Sequence, residues 1–99
     1  MRKQTTAKPR YDLYLYICGP TPRSRRALTN IKTICDEHLE GRYDLQVIDI
    51  FQRPEQTAEN GIIAAPTLVK KNPLPVRRFI GDLSDREKVL TGLEIRKAG

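Results

Sequence analysis

The strongest constraint on the fold is a change of period near the start of the chain. Residues Tyr11–Ile17 (YDLYLYI) alternate, with Leu13, Leu15 and Ile17 on one side and Asp12, Tyr14 and Tyr16 on the other. Period-two spacing rich in aromatic residues predicts a strand. The run stops at Gly19-Pro20, with Pro22 just beyond. From Ser24 the apolar residues Ala27, Leu28, Ile31, Ile34, Cys35 and Leu39 recur at three and four. That stripe predicts an amphipathic helix, with Arg25, Arg26, Lys32, Asp36 and Glu37 over much of its polar side and Gly41 as its stop. A second strand over residues 43–51 (YDLQVIDIF) follows. Strand, helix and strand in this order make a βαβ unit, so the first half is bound to an α/β layer arrangement.

The remaining elements extend that unit. Leu45, Val47 and Asp49 share one face of the second strand and Ile48 and Ile50 the other, which predicts an interior strand covered on both sides. Arg53-Pro54-Glu55 opens a short helix, with proline in the first turn and an acid at the positive end of the dipole, and Asn60-Gly61 ends it. Residues 62–70 (IIAAPTLVK) predict a third strand entered through Ala65-Pro66, residues 72–75 (NPLP) a turn, and residues 76–80 (VRRFI) a fourth strand. Ser84 with Glu87 reads as a capping box for a last helix carrying Val89, Leu90 and Leu93. Gly92 inside that helix costs about 1 kcal/mol relative to alanine. The order is βαβαββα, a hairpin and closing helix added to a βαβ unit.

Ninety-nine residues, 38% of them hydrophobic, make one domain over residues 11–99 with one modest core. A core this small favours support from oligomer contacts. The formal charge is +6, but Arg2, Lys3, Lys8 and Arg10 place four of those charges in a basic, flexible arm over residues 1–10. The body is then only weakly basic, which argues against specific nucleic-acid recognition. No apolar run approaches the ~20 residues of a membrane span, and the N-terminus lacks the apolar segment of a secretory signal. Two cysteines are too few for a disulfide scaffold, so Cys18 and Cys35 read as reduced thiols in the cytoplasm. One histidine and two cysteines give no zinc spacing, and no residue pattern calls for a metal or cofactor.

Cys18-Gly19-Pro20-Thr21 falls between the first strand and first helix, where a helix N-terminus lowers a thiol pKa. Pro66 stands where thioredoxins hold a cis-proline beside their active site. Over residues 11–95 the chain therefore resembles the thioredoxin superfamily, with two departures. Thr21 replaces the second cysteine, and Ile17 the preceding aromatic residue. Cys35 lies on the apolar stripe of the helix. Two readings of Cys18 stay open: a monothiol redox group, and a small apolar residue closing a strand. Ser84 is better used as a cap than a nucleophile, His38 has no evident partner, and Asp82, Asp85 and Glu87 read as acids at a helix start. The expected role is therefore binding rather than enzymatic catalysis.

Four collinear pieces carry a closer resemblance: TPRSRRAL at 21–28, YDLQVIDI at 43–50, APTL at 65–68 and PLPVRRFIGDLSDREKVLTGL at 73–93. From Tyr11 to Glu94 the chain resembles the KaiB family. The resemblance implies a regulatory adaptor that binds the ring ATPase KaiC and helps sequester KaiA, in a circadian clock or a related stress-adaptation role. It further implies a thioredoxin-like monomer in exchange with a ground-state fold, rearranged in its second half and assembled as a homotetramer. X-Pro bonds at Pro66, Pro73 and Pro75 suit such an exchange, since their cis forms cost only about 0.5–1 kcal/mol. Gly92 and Glu94 match family positions that tune the switch, although Glu94 is commonly aspartate there; Gly92→Ala is expected to favour the thioredoxin-like monomer. Arg26 matches a basic position used toward KaiC, whereas two other basic positions fall on the uncharged Gln46 and Gly61. The acidic tail of many relatives is replaced by Arg96-Lys97-Ala98-Gly99. A sensor module like the KaiB-like domain of a clock histidine kinase fits less well, because no kinase region is attached.

Overall fold

The computed structural model describes residues 10–52 and 66–95. Strand β1 (Tyr11–Ile17) leads to helix α1 (Pro22–His38) and strand β2 (Tyr43–Asp49); strands β3 (Thr67–Asn72) and β4 (Arg77–Ile80) and helix α2 (Arg86–Leu93) complete it. The strands form one sheet in the order β2-β1-β3-β4. β1 and β2 run parallel, Tyr11 opposite Tyr43 through Ile17 opposite Asp49, as a helical crossover requires. β3 is antiparallel to both β1 and β4. The short helix expected over residues 53–60 and the start of the third strand at 62–65 lie outside the described residues.

Both helices cover one sheet face. Leu13, Leu15 and Leu68 of the sheet pack with Ala27, Ile31, Ile34 and Cys35 of α1 and with Val89, Leu90 and Leu93 of α2 in a single buried cluster. Each large aliphatic side chain buried there stabilises the fold by roughly 1.5–3 kcal/mol. On the other face Tyr16, Ile48 and Val69 form a second buried cluster, flanked by Tyr14 and Ile50. β1 is thus buried on both sides, and it is β1, hydrogen-bonded to β2 and β3, that takes the interior place.

The expectation of an interior β2 is therefore corrected. Among the described strands β2 is at the edge; Asp44, Gln46 and Val47 are exposed, the strand ends at Asp49, and Phe51 beyond it is 73% exposed. Apolar residues on two faces report what covers a strand above and below. They do not report its lateral neighbours.

The helix ends show how local chemistry sets boundaries. Thr21 caps α1: its Oγ1 accepts the Ser24 N–H at 3.1 Å, and Pro22 fills the first turn, where its missing N–H leaves nothing unmade. Beyond α1 the chain turns at Gly41, whose φ of 74° suits glycine. The start of α2 differs from the sequence reading. The cap is Asp85, not Ser84: the Asp85 carboxylate accepts the Lys88 N–H at 3.2 Å, whereas the Ser84 N–H donates to Asp82 Oδ1 at 3.1 Å. With Asp85 as cap, Lys88 rather than Glu87 occupies the third helical position, so the predicted capping box does not form. Asp82 has already drawn Ser84 into its own turn.

Candidate partner-binding face

The turn after β1 holds no pair of thiols. Cys18 is half-buried, the Thr21 N–H donates to the Gly19 carbonyl at 3.0 Å, and the Thr21 hydroxyl serves the helix cap. The position of a second redox cysteine is thus filled by a residue with a structural task. Cys35 is buried, and burial, reinforced by Asp36, pushes its thiol up to about 12, which leaves it unreactive near neutrality. Both cysteines are free. Pro66 is buried, and its carbonyl accepts the Gly81 N–H at 2.9 Å, which ties the end of β4 to the start of β3.

Arg26 points from α1 toward that loop. Its Nε donates to Asp82 Oδ2 at 3.2 Å, and Asn30 Nδ2 donates to the Asp82 carbonyl at 2.8 Å. Hydrogen bonds from Ser84 and Arg26 hold the Asp82 carboxyl below its ordinary range. Beside this anchor a groove of about 440 Å³ runs between α1, β4 and α2. Arg23, Arg78 and Lys88 line it over an apolar floor of Phe79 and Val89, with Asp82 and Asp85 also on its wall. Arg26 keeps most of its surface open to solvent despite its pairing. Gln46 lies exposed on β2, well separated in sequence from this groove, and Gly61 lies outside the described residues.

The expected switch residues gather elsewhere. Pro73 and Pro75 sit in the β3–β4 connection, each after a cis peptide bond, around a Leu74 that is 74% exposed; the Ala65–Pro66 bond involves a residue outside the described set. Gly92 and Glu94 both bear on β4. A Cβ on Gly92 would lie 2.7 Å from Phe79 Cζ and closer still to Cε2, so glycine lets α2 lie close against the Phe79 ring. The sequence reading of Gly92 as a helix-weakening residue missed this contact, and alanine must displace the Phe79 ring to fit. Glu94 caps α2 in the left-handed region, with φ 60°, and its carboxylate lies 3.8 Å from Arg77. Tyr11 completes the cluster by donating its hydroxyl to the Leu93 carbonyl at 2.9 Å. No periodicity signals these partners, because each contact joins residues far apart in sequence.

Among the described residues no group of three or more histidine, cysteine or acidic side chains is placed to hold a metal ion, and no helix is long and apolar enough to cross a membrane. Comparison with known families finds the KaiB domain over residues 14–95, which takes in the cysteine turn, Arg26 and every expected switch residue. The chain belongs to the KaiB family. Proteins described as circadian clock oscillator protein KaiB share about half their residues with it. That of Gloeothece citriformis is 51% identical over 90 residues (91% of this chain, 85% of the relative), and that of Synechococcus elongatus 54% over 85 residues (86% and 83%). The N-terminal domain of Synechococcus elongatus SasA superimposes with a TM-score of 0.72 at 24% identity, covering 100% of this chain and 95% of that one. Fasciola hepatica thioredoxin gives 0.65 at 23%, covering 86% and 83%. This KaiB-family chain is thus thioredoxin-like in fold.

Proposed function

We propose that this chain is a regulatory adaptor that binds a KaiC-like ring ATPase and modulates its phosphorylation and ATPase cycle, without being an enzyme itself. The observation that carries the reading is a thioredoxin-like fold whose second thiol position is a helix cap, in a chain half identical to clock oscillator proteins. A scaffold that has given its redox position to structure is left with its surface as its working part. Arg26 and the basic groove beside it supply the face, and loss of positive charge at Gln46 and Gly61 lowers the association rate by weakening electrostatic steering. KaiA or a clock histidine kinase is the further partner of such an adaptor, in the cytoplasm and in a clock or stress-adaptation pathway. Exchange with a homotetramer rearranged after β2 belongs to the same proposal, with Pro66, Pro73, Pro75, Gly92 and Glu94 as its pivots.

The test is co-purification of the full chain with the host's KaiC-like ATPase in phosphorylated and unphosphorylated forms. Capture that depends on the phosphorylation state and weakens in Arg26→Ala is expected; no capture of either form overturns the reading. The half-buried Cys18 in the turn between β1 and α1 keeps a second reading in view, a monothiol redox protein. Thiol–disulfide exchange that is abolished in Cys18→Ser would favour it, and an inactive wild type removes it.

A further inference from the structure

Among the described residues, Lys70 is the one charged side chain in the buried set. It is 0% exposed, and its Nζ is enclosed with no hydrogen-bond partner among those residues. An ammonium group offers three donors. A core that leaves all three unmade disfavours the charged form.

The position of Lys70 gives this misfit a consequence. In the sheet it stands opposite Leu13 of β1 on one side and Arg77 of β4 on the other, so it faces the helix-covered side. The end of α2 crosses that row. Tyr11 of β1 holds the Leu93 carbonyl, Arg77 of β4 lies by the Glu94 carboxylate, and Lys70 of β3 is between them. Leu93 and Ile95 are buried, and the Glu94 and Ile95 N–H groups donate to the Thr91 and Leu90 carbonyls, each at 3.0 Å. The ionisable groups facing Lys70 are therefore Tyr11 from β1, Arg77 from β4 and Glu94 from the end of α2. Glu94 favours the ammonium, but it is half-exposed and shared with Arg77, whose like charge opposes it.

We propose that Lys70 is a proton-controlled catch for the end of α2: the neutral amine allows residues 91–95 to stay docked across β1, β3 and β4, and protonation loosens them. Burial lowers the proton affinity of the amine below its ordinary value of 10.5. A proton lost on docking makes docking weaker at low pH and stronger as the pH rises from the docked value toward 10.5. For one group the docking constant changes by up to about tenfold per pH unit inside that window. The catch goes beyond the adaptor reading and depends on no partner, so each proposal can fail while the other stands.

Hydrogen exchange by NMR tests it on the full chain from pH 6 up toward the ordinary lysine value of 10.5, with Lys70→Met separating the contribution of Lys70 from those of Tyr11 and Cys35. After correction for intrinsic exchange, the opening constants of the Glu94 and Ile95 amides are expected to fall as pH rises, with the Leu13 amide as internal reference. In Lys70→Met, which keeps the length and removes the titrating group, the same amides are expected to be better protected at pH 7 and to lose that dependence. A pH dependence shared equally by wild type and variant, or absent from the wild type, overturns the proposal. A second readout needs no variant: the Cε resonance of Lys70 is expected to titrate below those of the other lysines, and a midpoint in common with them overturns the proposal.

Discussion

Helix α1 is seventeen residues long and α2 is eight, yet both lie on the same face of the same sheet. α1 presents Ala27, Ile31, Ile34 and Cys35 to the core, starts at a threonine cap with a proline behind it, and holds neither glycine nor a positive-φ residue within its length. α2 presents Val89, Leu90 and Leu93, contains Gly92, and ends on Glu94 in the left-handed region. It crosses a fully buried lysine. In β1 and α1 the local preferences agree with the packing, which is how a segment commits to one structure. In the second half several oppose it. That contrast fits the proposed exchange between two packings of the C-terminal half, since such packings must lie within a few kcal/mol of each other.

The largest effect expected is from the committed half. Ile31→Ala removes a wholly buried side chain and should lower global stability by about 2–5 kcal/mol, read as a fall in urea midpoint with unchanged slope. The contrast between the halves breaks if Leu93→Ala, at an equally buried site in α2, costs the same by global unfolding rather than by local opening of residues 86–95.

Gly92→Ala comes next, and two effects compete. Alanine gains about 1 kcal/mol of helix propensity, whereas forcing a methyl against the Phe79 ring costs about 1–3 kcal/mol. We expect a net loss in the thioredoxin-like packing that Phe79→Leu reverses. Size-exclusion chromatography and NMR of the single variant would instead show more thioredoxin-like monomer if propensity wins.

Smaller changes sharpen the comparison at the helix ends. Asp85→Ala should cost α2 about 1 kcal/mol and Ser84→Ala well under half of that; equal effects would return the cap to Ser84. The smallest change is a gain. Glu94→Gly relieves a left-handed residue worth about 1 kcal/mol, while giving up an exposed pair with Arg77 worth less. A slightly raised thermal midpoint, with the end of α2 slower to exchange, is the expected result.

The βαβ unit, the hairpin and the closing helix were legible because strand and helix periods are local, written within a dozen residues. As candidate site residues Arg26, Pro66, Pro73, Pro75, Gly92 and Glu94 came only from the family resemblance, and their contacts were not legible in the sequence. Arg26 is tied to an aspartate 56 positions away, and Gly92 is shaped by an aromatic ring on another element. The Ser84 capping box failed for a nearer reason: three candidate oxygens at 82, 84 and 85 compete within one loop, and the backbone turn at Gly81 and Leu83 decides among them.

By itself the sequence determined the kinds and order of the described elements, the loss of the second thiol and membership of the KaiB family. Each is a property of residue identity or short-range spacing. Tertiary structure alone decided that β1 rather than β2 lies inside the sheet, that Gly92 makes room for Phe79, and that Lys70 is sealed beneath the end of α2. Those outcomes depend on which distant segments meet, and burial is set by neighbours that the local period of a chain does not name.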